Sequence, residues 1–201
     1  MPRMTIEKAR LAVLISGRGS NMEAIVRAAQ AQEYPATVAL VLANRDDAAG
    51  LDFARAQDIE ALALPHKAYP SREAFDAALD AALRARSITA IALAGFMRIL
   101  TPGFIRQWEG RIVNIHPSLL PKYPGLHTHQ RAIDAGDAEA GCTVHIVTEI
   151  LDDGPILAQA SVPVLSTDTP DTLAARILVE EHRIYPAALA EHLAKTASVK
   201  P

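Results

Sequence analysis

The feature that most limits what this chain can fold into is a set of unbroken apolar runs. Residues 11–15 read Leu-Ala-Val-Leu-Ile, with no polar position among them. A strand with one wet face alternates polar and apolar residues, so an unbroken run belongs to a strand covered on both faces, as in a parallel sheet. Residues 37–43 and 89–94 repeat the pattern, and residues 59–64 read as a further strand between them. After the first run, Met22, Ile25, Val26 and Ala29 recur at helical spacing, and residues 51–57 form a short helical segment after the second. Ser71 offers an N-cap for an amphipathic helix to about residue 86. A short helix at 102–108 precedes a strand containing Ile112 and Val113, whose ladder ends at Pro117 because proline has no N–H to give. This alternation predicts an α/β fold, a Rossmann-like, mostly parallel sheet with helices on both faces.

The last third changes texture. Residues 142–148 and 156–164 read as strands joined by Asp152-Asp-Gly-Pro155, too short a connection for anything but an antiparallel pair. A long helical pattern closes the chain over 170–195, with Pro186 as a candidate break. No repeat, low-complexity tract or linker intervenes, so residues 1–201 are expected to form a single domain, with 1–9 as a loose leader.

Half of the residues are hydrophobic, which is enough for a sizeable core. The net charge of −3 carries no basic footprint for nucleic acid. The single cysteine, Cys142, excludes an internal disulfide and suits a reducing, cytoplasmic setting. No stretch approaches the ~18 apolar residues of a membrane span, so no membrane partner is expected. The run at 11–15 is too short for a secretory signal.

Several stretches carry chemistry. Ser16-Gly-Arg-Gly-Ser-Asn21 joins the first strand to the first helix. Glycines permit a tight turn, and the free N–H groups of a helix start suit a phosphate. The loop lacks both the third glycine of the dinucleotide fingerprint and the Gly-Lys-Ser/Thr of a nucleotide P-loop, which favours a phosphomonoester. The alternative is a plain turn with Ser20 or Asn21 as the helix cap. Asn114 and His116 are two apart on a strand and share a face, at the end where α/β sheets collect ligands. An amide donor beside a proton-donating imidazole suits a developing oxyanion; a turn-capping Asn and a satisfied loop His are the alternative.

Asp152 and Asp153 could meet His116 if their strands are neighbours, or could simply form a turn. His116, His127, His129 and His145 lie close in sequence, but no cysteine or Glu/His pair stands at a ligand spacing, so no metal is expected. Ser118 lacks an elbow motif and Cys142 sits in an apolar strand, so neither reads as a nucleophile. Gly95-Phe-Met-Arg-Ile-Leu100 is apolar for a loop and reads as core, with a pocket lining as the alternative.

In this order, the glycine loop, Ala94–Leu100, the segment from Asn114-Ile-His-Pro-Ser-Leu-Leu-Pro to His129, and Leu151-Asp-Asp-Gly-Pro155 resemble the phosphoribosylglycinamide formyltransferase family. The resemblance spans about residues 10–192. It implies a folate cleft at the strand ends, and it turns the 95–100 hexamer from core into pocket. By position, Gly19, Ser20, Asn21 and Glu181 would contact the ribonucleotide, the first three at its phosphate. Arg72, Met97, Arg98, Ile99, Leu100, Asn114 and Thr148 would contact the co-substrate 10-formyltetrahydrofolate. Asn114, His116 and Asp152 match the catalytic trio. Leu178 departs from the family, which carries a polar Gln or Lys there, and can offer only a backbone contact.

The implied reaction is direct formyl transfer from 10-formyltetrahydrofolate to glycinamide ribonucleotide, without a metal. The expected partners are small-molecule substrates, and the expected state is a monomer or homodimer. Two relatives share the trio. Methionyl-tRNA formyltransferase would add a C-terminal nucleic-acid-binding domain and formyltetrahydrofolate deformylase an N-terminal regulatory domain, and this chain is expected to have room for neither. A non-catalytic folate- or nucleotide-binding protein is the remaining alternative.

Overall fold

The structure, a computed structural model, describes residues 8–197. Most of the expected leader, residues 1–7, lies outside that range, and Ala9 already belongs to the first strand. Among the described residues one sheet runs in the order β3-β2-β1-β4-β5-β6-β7. Its strands are β1 Ala9–Ile15, β2 Ala36–Ala43, β3 Ala61–Ala63, β4 Ala90–Leu93, β5 Ile112–His116, β6 Glu139–Ile146 and β7 Ile156–Pro163. β1 to β5 pair in parallel, whereas β6 runs antiparallel to β5 and β7 antiparallel to β6.

Among the described residues six α-helices cover the sheet: α1 Ser20–Ala29, α2 Gly50–Ala56, α3 Arg72–Arg84, α4 Pro102–Gln107, α5 Thr128–Asp134 and α6 Pro170–Ala197. The unbroken apolar runs are explained at once. Leu11, Val13 and Ile15 enter the core shared with α1, α2, α5 and α6, while Ala12 and Leu14 enter the opposite core with α3 and α4. No helix among the described residues is long and apolar enough to cross a membrane.

Several boundaries differ from the expected ones. The third strand keeps only Ala61–Ala63, since it lies at the sheet edge and has β2 alone as a partner. α3 ends at Arg84, and β6 covers Glu139–Ile146 rather than 142–148. The largest correction is α6, which runs unbroken through Pro186. A proline inside a helix removes one backbone hydrogen bond, at about 3 kcal/mol. Here the helix is pinned on both sides of that gap. Tyr185 Oη lies 2.9 Å from the carbonyls of both Leu93 and Val113, and Tyr34 Oη donates to the Pro186 carbonyl at 3.0 Å.

Gly50 opens α2 directly beneath the turn that follows β1. Its N–H donates to the Gly17 carbonyl at 3.1 Å, and a Cβ there would stand 2.5 Å from Ile15 Cδ1 and 2.8 Å from the Arg18 carbonyl. Gly50→Ala should therefore push the 16–21 turn off its seat. Overpacking of this kind destabilises by about 1–3 kcal/mol, and each kcal/mol lowers the melting temperature by roughly 2–4 °C at this size. A thermal melt within 1 °C of the wild type would show that the turn yields freely.

Candidate active site

The strand order reverses between β1 and β4, and the loops after these two strands part to leave a crevice, the usual ligand position in an open α/β sheet. The loop after β1 is the glycine loop. Gly19, at φ +73°, is the residue that caps α1, so Ser20 and Asn21 lie inside the helix and the side-chain cap alternative falls. Its positive φ favours glycine, and an added Cβ would also crowd Met22 Cε at 3.1 Å and Ile15 Cγ2 at 3.3 Å. A cavity of about 420 Å³ opens over this loop, with Arg18, Arg45 and His66 on its walls. Ser16 Oγ accepts from Met97 N at 2.8 Å and donates to Asn44 Oδ1 at 2.7 Å. One hydroxyl thus ties the glycine loop to the hexamer after β4.

A larger cavity of about 640 Å³ adjoins the first and shares Asn21, Gly95 and Met97 with it. The hexamer serves both of its expected purposes. Phe96 and Leu100 turn into the core beside α3 and α4, while Met97 and Ile99 stand exposed on the cavity wall. Arg98 lines the cavity with its guanidinium 4.6 Å from the centroid of the Phe75 ring. Thr148 also lines it, and its hydroxyl donates to the Ile150 carbonyl at 3.2 Å. Arg72 does not line it; its guanidinium donates to the Ile99 carbonyl at 3.2 Å and braces the hexamer from outside. Glu181, from the middle of α6, reaches the cavity and accepts from Asn21 Nδ2 at 2.6 Å. Leu178 lines neither cavity.

One wall of the larger cavity is built by the β5–β6 pair, with Asn114, His116 and His145. Asn114 stands opposite His145 and His116 opposite Thr143. The loop after β6 then folds back, with Gly154 packed so tightly on the Ile146 carbonyl that no Cβ would fit. That fold places Asp152 Oδ2 3.5 Å from His116 Nδ1, with both side chains 7% exposed, an ion-pair contact rather than a hydrogen bond. The same oxygen accepts from Gly125 N at 2.8 Å, and His116 Nε2 lies 2.9 Å from the Tyr123 carbonyl. Both ring nitrogens thus face oxygens, an arrangement satisfied in full by a doubly protonated ring. Asp153 is exposed and takes no part. Tyr123, His127 and Asp152 all hold positive φ values (55°, 58° and 54°), so backbone strain is concentrated around this corner.

His145 was not singled out from the other histidines by sequence. Its Nε2 lies 3.2 Å from Asn114 Nδ2 and 3.8 Å from Asp152 Oδ1, and its Nδ1 lies 3.0 Å from the Ile146 carbonyl. Burial keeps its ring below the ordinary histidine range, against the pull of Asp152. The only sequence signal was its place in a strand, and its importance depends on that strand lying against β5. Burial also lowers His129, with the charge of His116 adding to the effect. Among the described residues no group of three or more His, Cys, Asp and Glu could hold a metal ion. Burial pushes the Cys142 thiol up to about 12, which removes it as a nucleophile at neutral pH.

A phosphate-sized loop beside an apolar cavity with a buried Asn/His/Asp corner suits acyl or formyl transfer, and relatives agree. The family profile described as formyl transferase matches residues 9–189. Phosphoribosylglycinamide formyltransferase of Escherichia coli (strain K12) is 48% identical over 179 residues, covering 89% of this chain and 84% of that protein. The chain belongs to the phosphoribosylglycinamide formyltransferase family. The crystal structure of a family member from Brucella melitensis superposes with a TM-score of 0.89 at 55% identity, over 93% of this chain and 96% of that one. The trifunctional purine biosynthetic protein adenosine-3 of Drosophila melanogaster is 49% identical over 96% of this chain, which spans 14% of that protein's length. The Rossmann-like architecture with two antiparallel strands and a long last helix is thus that of a formyltransferase.

Glu181 supplies a test of the site's electrostatics. Burial raises its carboxyl above the usual range, and the Asn21 amide offsets this only in part. A carboxyl raised in the folded state stabilises in acid, and that contribution is lost as pH rises through its folded value. Glu181→Gln removes the buried charge and keeps an acceptor for Asn21. Its melting temperature should exceed the wild type's near pH 8 by about 2–4 °C, the size expected for ~1 kcal/mol. The two curves should meet near about pH 4, where Glu181 is itself neutral. A variant that melts lower near pH 8 would contradict this account.

Proposed function

We propose that this chain transfers the formyl group of 10-formyltetrahydrofolate to the primary amine of glycinamide ribonucleotide, a step of de novo purine biosynthesis. The observation that carries the reading is the meeting of two cavities, one over the glycine loop and one ending at Asn114, His116 and Asp152. The names of the Escherichia coli and Brucella melitensis relatives support the same substrate class. A ribonucleotide phosphate on the N–H groups of Gly19, Ser20 and Asn21 points its amine toward the corner, with Glu181 alongside the sugar. The larger cavity has the size of a small-molecule cleft, and Met97 and Ile99 with the exposed Leu126 and Ile150 offer apolar walls to a folate. Arg98, Leu100, Asn114 and Thr148 complete that wall, and Arg72 outside it can meet the carboxylates of a folate tail.

The amine nitrogen attacks the formyl carbon, and the carbonyl electrons move onto oxygen. Asn114 donates one N–H to that oxygen, and His116 donates from Nδ1, the edge where Asp152 stands off at 3.5 Å. Asp152 compensates the charge of the ring and takes the proton released by the amine, directly or through water. Collapse breaks the bond to N10, which leaves with the proton that Asp152 took from the amine, returned directly or through water. No covalent enzyme intermediate is needed.

Incubation with 10-formyltetrahydrofolate should release tetrahydrofolate only when glycinamide ribonucleotide is present. Release without the amine would indicate a hydrolase instead. Asp152→Asn should lower kcat by about 10²–10⁴-fold, the range for loss of a general acid or base. KM values should move far less, because the charge acts mainly once the oxyanion forms. Asp153→Asn, at an exposed position, should keep wild-type turnover. Normal turnover by Asp152→Asn would remove this aspartate from the mechanism.

A further inference from the structure

Asn114 can assist the reaction only if its amide nitrogen, not its oxygen, faces the developing negative charge. A carboxamide is nearly symmetric in shape, so packing alone selects poorly between its two flips. The choice is made across the β5–β6 pair. His145 lies directly opposite Asn114 in the antiparallel ladder, and the two side chains meet at 3.2 Å between Nδ2 and Nε2. The other ring nitrogen, Nδ1, faces the Ile146 carbonyl at 3.0 Å. A carbonyl oxygen only accepts, so Nδ1 carries the proton. In a neutral ring Nε2 is then an acceptor, and it can be satisfied only by the N–H side of the amide. Turning Asn114 over would set its oxygen against that lone pair.

We propose that His145 is a positioning residue, a neutral imidazole whose Nε2 holds the Asn114 carboxamide in the one flip that presents its second N–H to the reacting carbonyl. This rests on the formyl-transfer reading for its kinetic consequences, though not for its geometry. The ring's surroundings favour the neutral form. His145 is 2% exposed, and burial outweighs the attraction of Asp152 at 3.8 Å, while His116 on β5 adds to the effect of burial. Its β7 neighbour, Ile156, carries no charge. A second proton would turn Nε2 into a donor facing a donor and drive the amide over. His145 therefore sets a limit on activity in acid.

Two variants and one spectrum test this. His145→Leu keeps an apolar shape without an acceptor, and kcat should fall tenfold or more, toward the about 10²–10³-fold of a lost oxyanion donor. KM for both substrates should stay within about twofold, since only transition-state contacts change. His145→Gln restores an acceptor oxygen and should recover most of kcat. Its acid limb should shift to lower pH, because an amide does not titrate. Nitrogen-15 correlation spectra of the wild type should show His145 protonated at Nδ1 and bare at Nε2 near neutrality. Wild-type kcat in His145→Leu, no recovery in His145→Gln, or a protonated Nε2 would each overturn the proposal. Should the wild type transfer no formyl group, the functional reading falls, and the spectrum decides the His145 arrangement by itself.

Discussion

The antiparallel pairing of β6 onto β5 is the constraint on which the rest of the site depends. Four parallel pairings build the scaffold, but none of them could bring the loop after β6 back over the end of β5. With β6 reversed, Thr143 and His145 face His116 and Asn114 across one ladder. The tight Gly154 turn then returns Asp152 to the same spot. One reversal of direction thus brings Asn114, His116, His145 and Asp152 together on the wall of the larger cavity.

Enclosure of that corner explains its electrostatics. Asp152 meets the Gly125 amide and the His116 ring, with its side chain only 7% exposed. The histidines beside it divide into two kinds by their partners. His116 lies between two oxygens, from Tyr123 and Asp152, so each ring nitrogen faces an acceptor. His145 lies between a carbonyl and an amide, and burial keeps it neutral. The positive φ values at Tyr123, His127 and Asp152 are the conformational cost of closing the loops on this point.

The ribonucleotide side of the crevice depends on close backbone packing instead. Gly50 leaves no room for a Cβ and Gly19 holds a left-handed turn, so β1, α1 and α2 meet at the loop itself. Ser16 then joins that loop to Met97 on the other cavity, so the two halves of the crevice share one hydrogen-bonded seam. Glu181 on α6 closes the seam against Asn21 on α1.

By itself the sequence determined the class of fold, because unbroken apolar runs such as residues 11–15 admit only a strand buried on both faces. It also determined which aspects of the site could be named. The spacing of Asn114 and His116 put them on one face, and the resemblance marked Asp152 over Asp153. Helix and strand ends were less legible: Pro186 reads as a break, yet the contacts of Tyr185 and Tyr34 carry α6 through it. Only the tertiary structure decided that Arg72 braces the hexamer from outside and that His145 stands against Asn114. Periodicity and spacing are local along the chain, whereas these partners lie 27 and 31 residues apart and meet only through strand order and register.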